Sequence, residues 1–163
     1  MKFELSLSED VDAHKEALKA TGFWGKRAAG VIFLAKSTGR FMLAHRSSKV
    51  LEPDTWGTWG GAIDQAETPV RACLREIKEE TGYTGRVKLF PLYVFKHGSG
   101  FTYYNFLAVV PSEFTPVFNW ETQGSDWVPF KKWPHPLHPG AAKLLQDGPS
   151  LNLMQRVLNG EQI

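Results

Sequence analysis

Between Thr68 and Gly82 the chain reads Thr-Pro-Val-Arg-Ala-Cys-Leu-Arg-Glu-Ile-Lys-Glu-Glu-Thr-Gly, and no other stretch constrains the fold as closely. Thr68 can cap a helix, Pro69 suits the first helical position, where its missing N–H costs nothing, and Gly82 supplies a left-handed terminator. The spacing predicts a helix from Pro69 to about Thr81. Val70, Leu74 and Ile77 recur at intervals of four and three residues and are expected to form its core-facing stripe. On another face Glu76, Glu79 and Glu80 fall within a narrow arc, beside the small residues Ala72 and Cys73. These acids repel one another and stand where the helix macrodipole disfavours anions. Either they form a solvated face eased by Arg75 and Lys78, or a divalent cation reverses the sign of that energy. Ligands that are all oxygen suit Mg²⁺ or Mn²⁺ rather than zinc.

Around this helix the pattern is largely β. Arg27 to Ala35 and Phe41 to Arg46 read as strands joined by the turn Ser37-Thr38-Gly39. Ser47 to Gly57 reads as irregular. Leu89 to Lys96 and Phe101 to Val110 form a second hairpin across His97-Gly98-Ser99-Gly100. A short strand is expected at Trp127 to Phe130, then helices near Ala141 to Gln146 and Leu151 to Leu158. Ser6 or Ser8 can cap a first helix running to about Lys19, so residues 1–22 read as a helical extension of a single domain spanning residues 1–163. Strands and helices without strict alternation indicate α+β packing.

Composition narrows the function classes. The net charge is +2 and the basic residues are dispersed, which gives little support to a nucleic-acid polymer as partner. No apolar run approaches the roughly 20 residues needed to span a bilayer. One cysteine, Cys73, cannot form an internal disulfide, and the first residues lack a secretion-signal pattern, so a cytoplasmic location is expected. Cys73 and the histidines His45, His97, His135 and His138 show no ligand spacing. Cys73 reads as a packing residue and the histidines as loop or surface residues.

From Gly61 the chain runs GAIDQAETPVRACLREIKEETGY, a glycine, five residues, Glu67, seven residues, then Arg75-Glu76-Ile77-Lys78-Glu79-Glu80-Thr81-Gly82. This resembles the Nudix box at every fixed position but the last, where Tyr83 replaces an aliphatic residue. The approach to the box, LAHRSSKVLEPDTWGTWGG, and the Glu121 to Trp127 spacing are also similar to that family, from roughly Arg27 to Gly140. The resemblance implies an α+β Nudix fold with a mixed β-sheet between helices. It further implies a Mg²⁺-dependent pyrophosphohydrolase, with Mn²⁺ able to substitute, acting on a nucleoside diphosphate linked to another moiety.

By the same resemblance Glu76, Glu79 and Glu80 are metal ligands, joined by the Gly61 carbonyl and, directly or through water, by Glu67. Arg75 orders the box by pairing with its glutamates, and Gly82 closes the helix. Glu121 matches a distal general base, with Glu113 and Glu52 as rivals. Arg46 ends a strand where the family often has an arginine facing phosphate, and a bidentate guanidinium suits that task. Trp56 and Trp59 either stack a base or pack the core, and Trp59 stands where the family usually has proline.

The box does not identify the leaving group. Pro134 to Pro139 offers Leu137 and His138 where the branch acting on oxidised guanine nucleotides carries an asparagine. Gly98 and Ser99 match neither the ADP-ribose nor the dinucleoside-polyphosphate branch, so these substrates, nucleoside triphosphates and sugar nucleotides stay open. Two other classes stay open too: a nucleotide-binding regulator that has lost catalysis, and an isopentenyl-diphosphate isomerase. The intact acids favour hydrolysis of a small nucleotide. A homodimer is compatible with all three.

Overall fold

A computed structural model describes residues 27–163; the helix expected to end near Lys19 lies outside them. Seven strands form one mixed sheet, β1 (Arg27–Ala35), β2 (Arg40–Arg46), β3 (Trp56–Gly57), β4 (Trp59–Ala62), β5 (Lys88–Lys96), β6 (Thr102–Val110) and β7 (Thr122–Val128). Its main path runs β3-β2-β1-β6-β5, with β4 paired to β1 and β7 to β2. The β1/β6 pair is parallel, from Arg27 opposite Thr102 to Ala35 opposite Val110, and the other pairs are antiparallel. Among the described residues, α1 (Pro69–Thr81) lies between β4 and β5, and α2 (Pro139–Leu144) and α3 (Gly148–Leu158) follow β7.

Strand alternation splits the core into two layers. Ala29, Val31, Phe33, Ala35, Met42, Ala44, Phe106 and Ala108 share one buried cluster with Cys73 and Ile77 of α1. Their strand neighbours Ile32, Leu34, Phe41, Leu43, Leu107 and Val109 share the other with Leu144, Leu145 and Met154, from α2, its C-terminus and α3. Side chains one residue apart point to opposite faces, so a two-sided sheet requires apolar residues at both parities, as β1 and β6 have. The mixed sheet therefore lies between α1 and the C-terminal helices.

Two expectations change. The stretch expected to be irregular, Ser47 to Gly57, ends in strand β3, and β4 follows directly after it. Gly60 permits this, because a Cβ there would stand 2.1 Å from the Ala29 carbonyl oxygen. The strand expected at Trp127 to Phe130 instead begins at Thr122 and ends at Val128, since β7 pairs with Phe41 to Arg46 of β2, Val128 opposite Phe41 and Thr122 opposite Arg46. This register brings the residue just before β7, Glu121, to the end of β2. In addition, the peptide bond between His135 and Pro136 is cis.

Candidate active site

Thr68 accepts a hydrogen bond from the Arg71 N–H at 3.2 Å, and Gly82, at φ 73°, donates from its N–H to the Lys78 carbonyl at 2.9 Å. These caps set the ends of α1. The face it buries differs from the expected stripe: Val70 and Leu74 are each 44% exposed, whereas Cys73 and Ile77 are buried. Seven residues make almost two turns, which returns Glu80 over Cys73 and leaves Glu76 beside it. Accordingly Glu76 is 2% and Glu80 8% exposed. The acids border the core instead of occupying a separate solvated face, and the exposed apolar pair takes the outer surface.

One guanidinium organises the box. Arg75 donates from Nε and Nη2 to the two carboxylate oxygens of Glu67, each at 2.7 Å. From Nη1 it reaches Glu76 at 2.7 Å and Glu79 at 3.1 Å, and from Nη2 the Ala62 carbonyl at 3.0 Å. Glu67 also accepts from the Asp64 N–H at 2.9 Å. The Arg75 hydrogen bond holds the Glu67 carboxyl down at about 2. In turn, its bond to Glu67 makes Arg75 harder to deprotonate.

Glu76 and Glu80 experience the opposite effect. Burial pushes both carboxyls up, and for Glu76 the nearby Arg75 only partly opposes it. For Glu80 the next causes are the charges of Glu121 and Glu76. Low-dielectric surroundings disfavour two adjacent anions, so the pair ionises less readily than exposed glutamates do.

Glu121 lies close enough to Glu80 to act on it electrostatically. Its carbonyl accepts from the Ser47 N–H at 2.9 Å, and its N–H donates to Asn119 Oδ1 at 3.0 Å. Its rival Glu113 is held in a bidentate pair with Arg40 at 2.7 and 2.8 Å. Glu52 stands at φ 51° in the loop whose carbonyls receive Arg46. The Arg46 Nε lies 3.1 Å from the Leu51 carbonyl and Nη2 also bonds that oxygen. Burial lowers the guanidinium's pKa, while Tyr103, Glu121, Glu52 and Glu80 act against that. Arg46 is thus within electrostatic reach of both Glu80 and Glu121.

The expected substrate contact at Trp59 is corrected. Its side chain is 2% exposed and packs edge-on against Phe33, centroids 6.5 Å apart, so it is a core residue. Trp56 is half-buried and stacks on His45 with centroids 4.3 Å apart and planes 4° from parallel. His138 is likewise no ordinary surface histidine. Its Nδ1 accepts from the Gly140 N–H at 2.9 Å to cap α2, and burial, with Arg46 nearby, lowers its pKa to about 4. Gly61 lies in β4 opposite Ala29, at the entry to the box.

Sequence reasoning missed Tyr103 and Thr58, whose hydroxyl oxygens are 2.8 Å apart. Burial raises the Tyr103 phenol to about 12, with Cys73, Arg46 and Glu76 also acting on it. The parity of β6 was the available signal, since it places Tyr103 on one face with Asn105 and Leu107.

The oxygen-only donor set fits a hard divalent cation. Buried Glu76 and Glu80 lie beside Glu121, and the charges of Glu121 and Glu76 add to burial in raising the Glu80 carboxyl, which an added divalent cation would offset. Among the described residues no three His, Cys, Asp or Glu side chains converge as a metal-binding group in the present arrangement. Arg75 accounts for part of this, since it draws Glu67, Glu76 and Glu79 towards itself. No helix among the described residues is long and apolar enough to cross a membrane.

A family model described as NUDIX domain matches residues 25–148. A Mycobacterium tuberculosis protein bearing the provisional name 8-oxo-dGTP diphosphatase 3 is 32% identical over 131 residues, covering 74% of this chain. The match spans only 60% of that relative's length. The dihydroneopterin triphosphate diphosphatase of Haemophilus influenzae is 28% identical over 119 residues, 63% of this chain and 73% of that protein. Among solved structures, a Nudix hydrolase of M. smegmatis, RenU, superposes with TM-score 0.67 at 27% identity, covering 86% of this chain and 91% of that one.

Proposed function

The chain belongs to the NUDIX domain family, and from that premise we propose that it hydrolyses the diphosphate linkage of a nucleotide-like substrate with the help of a divalent cation, Mg²⁺ by preference and Mn²⁺ as a substitute. The observation that carries this reading is the buried Glu76–Glu80 pair facing Glu121. A lone solvated acidic face would not be buried against the core.

In this reading Glu76 and Glu80 hold the cation, with Glu79 and the Gly61 carbonyl completing its oxygen ligands. The cation supplies neutralisation of the diphosphate oxygens and makes a water acidic enough to attack phosphorus. Glu67 acts mainly through Arg75, whose grip fixes the orientation of Glu76 and Glu79. Glu121 receives the proton of the attacking water, a role its approach to Glu80 favours. Arg46 holds a phosphate oxygen across the cleft from the acids.

The two curated relatives described above carry the names of diphosphatases acting on triphosphates, 8-oxo-dGTP and dihydroneopterin triphosphate. Those names favour a triphosphate ester over ADP-ribose, a dinucleoside polyphosphate or a sugar nucleotide. The test is a panel of all these substrates with Mg²⁺, read by released phosphate or diphosphate. Turnover of a triphosphate to monophosphate and diphosphate is the expected result. A protein that binds members of the panel and turns over none would instead be a nucleotide-binding regulator.

A further inference from the structure

One polar pair in the cleft has no part in the chemistry described so far. Tyr103, at the start of β6, and Thr58, between β3 and β4, place their hydroxyl oxygens 2.8 Å apart. Room for them comes from Gly30. A Cβ at that position would stand 2.2 Å from the Tyr103 oxygen and 2.9 Å from Thr58 Oγ1. At the neighbouring Gly57 a Cβ would stand 3.4 Å from His138 Cβ and 3.7 Å from Arg46 Cδ, so the missing side chain lets Arg46 pack close to the backbone that carries Thr58.

Hydrogen counting gives the pair a vacancy of chemical kind. Two hydroxyls carry two hydrogens, and the bond between them uses one. The other is not used by that bond. Arg46 and Glu76 both lie close enough to act electrostatically on the phenol, which places the pair beside the arginine and the box acids. Hydroxyls add no negative charge to a cleft already crowded with carboxylates. They suit an anionic oxygen that the acids themselves would repel.

We propose that Tyr103 and Thr58 act as one hydroxyl pair that hydrogen-bonds a phosphate oxygen of the substrate's diphosphate, alongside Arg46 and away from the box carboxylates. They are substrate-positioning groups rather than carriers of a proton in the reaction. The inference rests on the diphosphatase reading above, and deepens it by naming what grips the phosphate that the box acids do not reach.

The probe is methylenediphosphonate, a diphosphate analogue whose P–C–P bridge resists hydrolysis, titrated calorimetrically with Mg²⁺ present. Thr58→Val and Tyr103→Phe should each bind it about ten-fold more weakly than wild type, the usual effect of losing a hydrogen bond to a charged group. The double variant should be little worse than either single one, because the hydroxyls act together. Thermal stabilisation by Mg²⁺ alone should be unchanged. Thr58→Ser keeps the hydroxyl and should bind as wild type does, so equal losses in Thr58→Ser and Thr58→Val would reduce the pair to a packing device and overturn the proposal. Wild-type affinity in both Thr58→Val and Tyr103→Phe would overturn it while leaving the diphosphatase reading intact. If wild type itself ignored the analogue in Mg²⁺, the diphosphatase reading would fail and the pair's role with it.

Discussion

Both carboxylate oxygens of Glu67 are held at 2.7 Å by the guanidinium of Arg75, from Nε and Nη2. The same arginine reaches Glu76 and Glu79, so an interaction near the start of α1 sets the positions of acids near its end. Glu67→Gln keeps the shape and removes the charge. It is expected to cost about 1–3 kcal/mol in urea unfolding, as a part-buried charged hydrogen-bond partner is lost. It should also lower turnover, because Glu76 and Glu79 are less firmly aimed. A variant with wild-type stability and rate would mean that Arg75 orders the site without Glu67.

Folding stability of the cation-free protein should fall as pH rises. Glu76 and Glu80 have folded-state pKa values above the ordinary glutamate value of 4.5. Above that value the folded state binds more protons than the unfolded one, which makes stability decline with pH. The contribution is fully present below 4.5 and is lost as pH climbs through the raised values. Glu67 works in the opposite sense, adding stability above 4.5 that disappears as pH falls towards about 2. Urea titrations from pH ~5 upward, with and without Mg²⁺, test the balance. Mg²⁺ should flatten the alkaline decline, and an identical slope with and without it would separate the raised pair from the cation.

Glu121 and Glu113 differ in what holds them, and their variants should differ accordingly. Glu121→Gln is expected to lower kcat by a factor of about ten to ten thousand, the range for a lost general base. Glu113→Gln breaks a partly exposed pair with Arg40 and should cost no more than about 1 kcal/mol of stability with little change in kcat. Steady-state rates of the two variants at saturating substrate decide between them. The reverse ranking would move the base to the Glu113 end of the loop.

Much of the fold was legible because strong local signals agreed with one another. Thr68, Pro69 and Gly82 fixed the ends of α1, and the two hairpins followed from β-rich runs separated by glycine turns. The choice of buried face on α1 was not legible from hydropathy. Val70 and Leu74 are apolar but exposed, while the buried positions include Glu76 and Glu80. A polar site bordering the core inverts the usual pattern, and apolar periodicity alone assigns the helix the wrong rotation. Tyr103, Thr58 and His138 were missed for another reason. Their places depend on which strands pair across the sheet, such as β1 with β6 and β2 with β3, and a single sequence does not encode that register locally. Trp59 was ambiguous between core and cleft until β4 was paired with β1.

The revised rotation of α1 has its own test. Ile77→Ala removes a buried side chain from the layer beneath the sheet and should cost about 2–5 kcal/mol. Leu74→Gln alters an outer position that is 44% exposed and should change stability by about 0.5 kcal/mol or less. Chemical denaturation of the two variants gives the comparison directly. Equal losses would restore Leu74 to the core stripe.

If Glu76 and Glu80 are held together against their own repulsion in order to bind a cation, Glu80→Gln should weaken that binding. Thermal melts with and without Mg²⁺ should be run on wild type and variant, beside turnover of whichever substrate the panel yields. Without Mg²⁺ the variant should melt at or above the wild-type temperature, because a buried group that resists ionisation has become permanently neutral. Adding Mg²⁺ should raise its Tm by less than in wild type, since ligand-linked stabilisation follows affinity, and most turnover should be lost. Equal Mg²⁺-induced stabilisation together with equal turnover would exclude Glu80 from the cation site.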